Sequence, residues 1–102
     1  MSRAAVSVTF DNLGEVTALA RGEWPADEPL GDHSSVTRAL PRIMDLLDET
    51  GLRATFFVEG LNAELYPEAL RGLADAGHEV AYHGWRHEPW SELGTFRFTL
   101  PR

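Results

Sequence analysis

Apolar residues in this 102-residue chain fall into blocks whose spacing switches between period two and the helical period. Ala4-Ala5-Val6-Ser7-Val8-Thr9-Phe10 is β-branched and aromatic and stops at Asp11-Asn12-Leu13-Gly14, which predicts a strand running into a loop. Leu40, Ile43, Met44, Leu46 and Leu47 recur at helical spacing behind the candidate caps Ser34, Ser35 and Thr37. Pro41 falls in the first turn, where a missing N–H costs least, and Gly51 is the terminator. Ala54-Thr55-Phe56-Phe57-Val58 is apolar on both faces, the signature of a fully buried strand. A second helix starts after Asn62 or Tyr66, with Pro67 near its start, Leu70, Leu73 and Ala74 on one face, and Gly77 closing it. His78-Glu79-Val80-Ala81-Tyr82 is the third strand.

Strand, helix, strand, helix, strand with short connections predicts right-handed βαβ units, hence an α/β fold on a parallel sheet. The connection over residues 11–35 is rich in Gly, Pro, Asp and Glu and holds a helix-compatible stretch at 15–21. Connections of that length are commonly functional. In the tail, Phe96, Phe98 and Leu100 alternate with Arg97 and Thr99, which predicts an extra half-buried strand over residues 95–102.

Composition narrows the partners rather than the fold. With 43% hydrophobic and 25% charged residues the chain has the means to fold. The net charge is −7, there is no lysine, and the nine arginines are scattered, so no basic stripe exists to bind nucleic acid or an anionic membrane. The absence of cysteine excludes disulfides and thiolate metal sites. The apolar stretch over residues 1–10 is too short for a signal or a membrane span, so a cytoplasmic location is expected.

Active sites of parallel α/β folds gather at the carboxyl ends of the strands. Asp11 ends the first strand, His83 and His87 follow the third, and the middle one ends in the less pointed Glu59-Gly60-Leu61-Asn62. On one turn of helix, histidines four apart hold their Cβ atoms about 5–6 Å apart on one face, within reach of one metal ion. Imidazole suits Zn, Co, Ni or Fe, which leaves the metal open. Two polar loop histidines produce the same spacing by chance, and both readings stand at this point.

Val8-Thr9-Phe10-Asp11-Asn12 and His83-Gly84-Trp85-Arg86-His87-Glu88 resemble the first two signature motifs of the polysaccharide deacetylase family. Leu52-Arg53-Ala54-Thr55-Phe56-Phe57-Val58 and Ala76-Gly77-His78-Glu79-Val80 are similar to the segments between those motifs, and the resemblance runs to about Leu93. It implies the N-terminal part of a distorted (β/α) barrel over residues 1–94. The implied activity is a hydrolase removing acetyl groups from N- or O-acetylated sugars, with a divalent metal, commonly zinc, on one Asp and two His. By position, Asp11 resembles the catalytic base, and His83 and His87 resemble the histidine ligands.

The departures bear on the same site. Asn12 stands where many members carry a second Asp, and Leu13 where others place the acid. Asn12 is then a neutral metal ligand, with Asp11 or Glu15 as groups able to turn toward the metal, and such a site should hold zinc more weakly than one with a carboxylate. The family's later arginine, aspartate and distal histidine motifs are not in this sequence. The expectation is therefore a deacetylase-like hydrolase of acetylated polysaccharides or related amides, incomplete as a single chain. The alternative is a non-catalytic paralogue serving as a binding or assembly module.

Trp85 and Trp90 are flat apolar surfaces that suit stacking on a sugar ring or plain packing. His33 is a surface histidine near a cap or a residue at the mouth of the site, whereas His78 is structural. Glu88 either orients an imidazole or caps the following turn. Open strand edges and an unclosed sheet predict a homodimer.

Overall fold

The computed structural model describes residues 3–89. Three short strands, β1 (Thr9–Phe10), β2 (Thr55–Val58) and β3 (Glu79–Tyr82), form one parallel sheet in the order β1-β2-β3. Helix α1 (Val16–Ala20) and a π-helical turn (Ser35–Ala39) lead into α2 (Leu40–Thr50), and α3 (Gly60–Leu65) and α4 (Pro67–Asp75) join β2 to β3. This is the α/β arrangement that the alternating pattern predicts. No described helix is long and apolar enough to cross a membrane.

Both main helices end through the same bonds. In α2 the N–H of Gly51 donates to Asp48 O (3.2 Å) and that of Leu52 to Leu47 O (3.0 Å); in α4 Gly77 donates to Ala74 O (3.0 Å) and His78 to Leu73 O (3.1 Å). Gly51 and Gly77 are left-handed, so each helix closes its last carbonyls and turns into the next strand within a few residues. The single helix expected before β3 is two. Tyr66 sits between them at φ −131°, ψ 54°, because Pro67 disfavours the α conformation in the residue before it. The N-terminal strand is shorter than expected, pairing only at Thr9 and Phe10.

The core lies on one side of the sheet. Leu40 and Leu47 from α2 and Leu73 from α4 bury Ala54 and Phe56, and the Phe10 ring stacks on Phe56 at 5.0 Å. Leu46, expected on the same helix face, is instead exposed. β2 is likewise not buried on both faces. Phe56 is fully buried but Phe57 is 37% exposed, because the helices pack on the Phe56 side and neighbouring strand residues point to opposite faces. His78 is buried, and its Nδ1 accepts the Ala54 N–H at 3.1 Å, a structural role at the amino edge of the sheet. Trp90 and the tail strand expected over 95–102 lie outside the described residues.

Candidate metal centre

The three strands deliver their last residues to one edge. Val58 and Tyr82 are the last register pair, closed by the His83 N–H donating to Val58 O (2.9 Å); beyond it the first residues of α3 reach across, Gly60 N–H to Gly84 O (2.8 Å) and Leu61 N–H to Trp85 O (3.1 Å). Glu59 and His83 are therefore the first residues past the last pair of β2 and β3. Neighbouring strands lie about 4.8 Å apart, so the two residues leave the sheet side by side.

The 83–87 segment is not the helical turn that the spacing suggests. Gly84 and His87 both have positive φ, 74° and 61°, and the backbone folds back so that the two imidazoles meet edge to face, centroids 4.7 Å apart. Glu88 stabilises this turn. Its Oε1 accepts the Arg86 N–H at 2.7 Å, and that bond holds the carboxyl below its ordinary pKa. Glu88 thus bonds the backbone of the turn that precedes it rather than the one that follows.

Glu59, His83 and His87 form a group in which one ligand atom from each lies within 4.8 Å of the others. Glu59 is 1% exposed, and the two histidines are half-buried. Among the described residues, Glu59 Oε2 and His83 Nε2 are both buried with no hydrogen-bond partner, as is Asn62 Oδ1. Native interiors rarely leave such atoms unsatisfied, and each needs an explanation. Two imidazoles and one carboxylate form a donor set that divalent transition ions accept, so the residues present fit such an ion.

A strut holds the carboxylate in place. Asn62 Nδ2 donates to Glu59 Oε1 (2.9 Å) and to Leu13 O (2.6 Å), tying the loop after β1 to the end of β2. Gly14 passes so close that a Cβ there would overlap the Asn62 carboxamide, and its φ of +85° disfavours any other residue.

Asp11 sits at the carboxyl end of β1, exposed, and is not a member of the group. Asn12 is exposed, with φ 56°, and its Oδ1 accepts the Thr17 hydroxyl at 3.4 Å. Trp85 lies over Gly60, so close that a Cβ there would overlap its ring, while 41% of the residue stays exposed. Glu59 is the residue sequence reasoning passed over. A charged residue directly after a wholly apolar strand, one strand from the histidine motif, was the available signal.

Glu15 is engaged elsewhere. Its carboxylate is fully buried, with Oε1 accepting the Tyr66 hydroxyl (2.6 Å) and Oε2 the Gly31 N–H (2.8 Å). The Tyr66 oxygen in turn accepts the His33 N–H at 2.9 Å, pinning the 22–35 connection to the α3–α4 junction. Burial, then the bond to Glu15, pushes the Tyr66 pKa from 10.0 up to about 12. The fold thus keeps a proton that the unfolded chain releases near pH 10, so the resulting stability is complete below pH 10 and disappears as pH rises toward 12. Urea melts across this range should show stability falling with pH, and Tyr66→Phe should flatten that slope. Parallel slopes for the two proteins would show that Tyr66 contributes none of it.

The sequence profile of the family Polysaccharide deacetylase matches residues 1–99. The chain is 41% identical over 49 residues to the Helicobacter pylori peptidoglycan deacetylase, covering 48% of this chain and 17% of that protein. It is 41% identical over 54 residues to the Sinorhizobium fredii chitooligosaccharide deacetylase, covering 53% and 25%. A Mycobacterium smegmatis crystal structure assigned to the polysaccharide deacetylases superposes with a TM-score of 0.68 at 34% identity, over 84% of this chain and 31% of that one. The chain thus spans a quarter or less of these two curated relatives, and its sheet corresponds to part of a (β/α) barrel. A profile match over nearly every residue and the superposition of the sheet agree: the chain belongs to the polysaccharide deacetylase family.

Proposed function

We propose that this chain carries the metal-binding part of a hydrolase that removes acetyl groups from the N-acetylated sugars of a polysaccharide. The observation that supports this most directly is the meeting of His83 and His87 at the carboxyl edge of the sheet, with a buried His83 Nε2 that no described residue satisfies. A divalent ion there, zinc being the family's common choice, supplies Lewis acidity toward the acyl oxygen and makes water acidic near neutral pH.

The residues of the chain then have separable tasks. His83 and His87 would hold the ion from the end of β3, whereas Asn12, at the end of β1, has its Oδ1 on the Thr17 hydroxyl. Asp11, exposed on the same edge, takes the proton from water as it attacks the acetyl carbon. The C–N bond breaks to give acetic acid and a free amine, the proton taken from water matching the one the departing nitrogen gains. Trp85, held on Gly60 with its ring partly open to solvent, offers a flat surface to a sugar ring, and Trp90, further along the sequence, is a second such side chain.

Release of free amine from N-acetylglucosamine oligomers, measured with and without added zinc, tests this reading. Zinc-dependent release is expected and should fall on Asp11→Asn. Oligomer binding without any amine release would instead assign the chain the role of a glycan-binding module.

A further inference from the structure

The carboxylate that the family places after the first strand is missing here, yet a buried carboxylate stands one strand away. We infer that Glu59, at the end of β2, is the anionic ligand of the metal, occupying the role that Asn12 and Leu13 leave vacant; this rests on the metal reading proposed above.

Register comes first. Glu59 directly follows the end of β2 and His83 the end of β3, its neighbour in the sheet, whereas the loop after β1 begins two strands, or roughly 10 Å, from the end of β3. A ligand from β2 therefore reaches the two imidazoles without crossing the sheet edge.

Orientation follows. Asn62 occupies Glu59 Oε1, so Oε2 is the oxygen left over, and Oε2 is buried without a partner among the described residues. Its ligand atom lies within 4.8 Å of one from each histidine. Among the described residues no cationic side chain pairs with Glu59, since the single ion pair joins Arg71 to Glu68 on the surface. A buried carboxylate left in that state is costly, and a divalent ion between it and two imidazoles removes the cost.

The rival anions are spoken for or displaced. Both oxygens of Glu15 accept hydrogen bonds from Tyr66 and Gly31. Asp11 is exposed and outside the group, which leaves it free to act as base. In this arrangement the site regains the charge that Asn12 withholds, and zinc affinity need not suffer from the substitution.

Calorimetric titration with zinc on the wild type, Glu59→Gln and Asn12→Asp tests the assignment, with cobalt(II) absorption as a second readout. Wild type is expected to bind zinc. Glu59→Gln should bind about 100-fold more weakly, a loss at least equal to that of an outer-shell partner. Its metal-free melting temperature should equal or exceed that of wild type, because the uncompensated charge is gone. Asn12→Asp should leave affinity nearly unchanged.

Unchanged zinc affinity in Glu59→Gln would overturn the assignment of Glu59 and leave the metal reading standing. Failure of the wild type to bind zinc would remove both. Should Glu59→Gln not fold, Glu59→Asp takes its place. It keeps the charge one methylene short, so a shifted cobalt spectrum supports the assignment and an unshifted one overturns it.

Discussion

Phe56→Ala is expected to destabilise the protein by about 3–5 kcal/mol and to bring its melting temperature down by roughly 15–30 °C. Phe56 is fully buried at the centre of the sheet, stacked on Phe10 at 5.0 Å and meeting the His78 ring edge-on at 5.7 Å. Leu40, Leu47 and Leu73 close around it from two helices, so truncation opens a cavity that three elements border and none can fill alone. A domain of this length has roughly 5–15 kcal/mol in all, which makes the loss a large fraction of the total. Phe57→Ala, one residue along, is the internal control. Its side chain lies on the other face and is 37% exposed, so the same deletion of atoms should cost markedly less. Thermal melts followed by circular dichroism separate the two, and equal shifts would mean that the Phe57 face is as well packed as the helical one.

That contrast marks where the sequence was sufficient and where it was not. The strands were readable because runs of β-branched and aromatic residues sit between helices that stop on Gly51 and Gly77 and start beside Pro41 and Pro67. Turn and cap chemistry is local, and local chemistry is legible. The one-sided burial of β2 was not legible, because an apolar run has the same composition whether one face or two are covered.

The site divides along the same line. His83 and His87 could be picked out by spacing and by their place after a strand, but the spacing suggested a helical turn, and the rings instead meet across a left-handed His87. Glu59 needed the register of β2 against β3. That pairing brings Val58 to Tyr82, residues far apart in the sequence, and nothing in the residues around Glu59 announces it. Glu15 presents the converse case. It looked available to a metal in the sequence and proves to be consumed by Tyr66 and Gly31, partners 51 and 16 residues away.

Replacing His83 and His87 together with alanine is expected to abolish zinc binding and to lower the rate of amine release by about a thousandfold or more. Losing a single preorganised group that stabilises a developing oxyanion costs about 10²–10³ in rate. On the metal reading proposed above, the double variant would remove the Lewis acid and with it the means of bringing the pKa of water from about 15.7 to near 7. The fold should survive the change. Both rings lie beyond the last residue of β3, half-buried, and the core of Leu40, Leu47, Phe56 and Leu73 contains neither. Circular dichroism and a melt close to that of wild type would confirm that only the site is lost. His33→Ala supplies the contrast: His33 lies outside the group, with its ring nitrogen Nδ1 engaged by Ser35 Oγ at 2.8 Å, so zinc affinity should be retained. Amine release at the wild-type rate from the double variant would show that the two imidazoles take no part in the chemistry, and would move the search for the reactive centre away from this edge of the sheet.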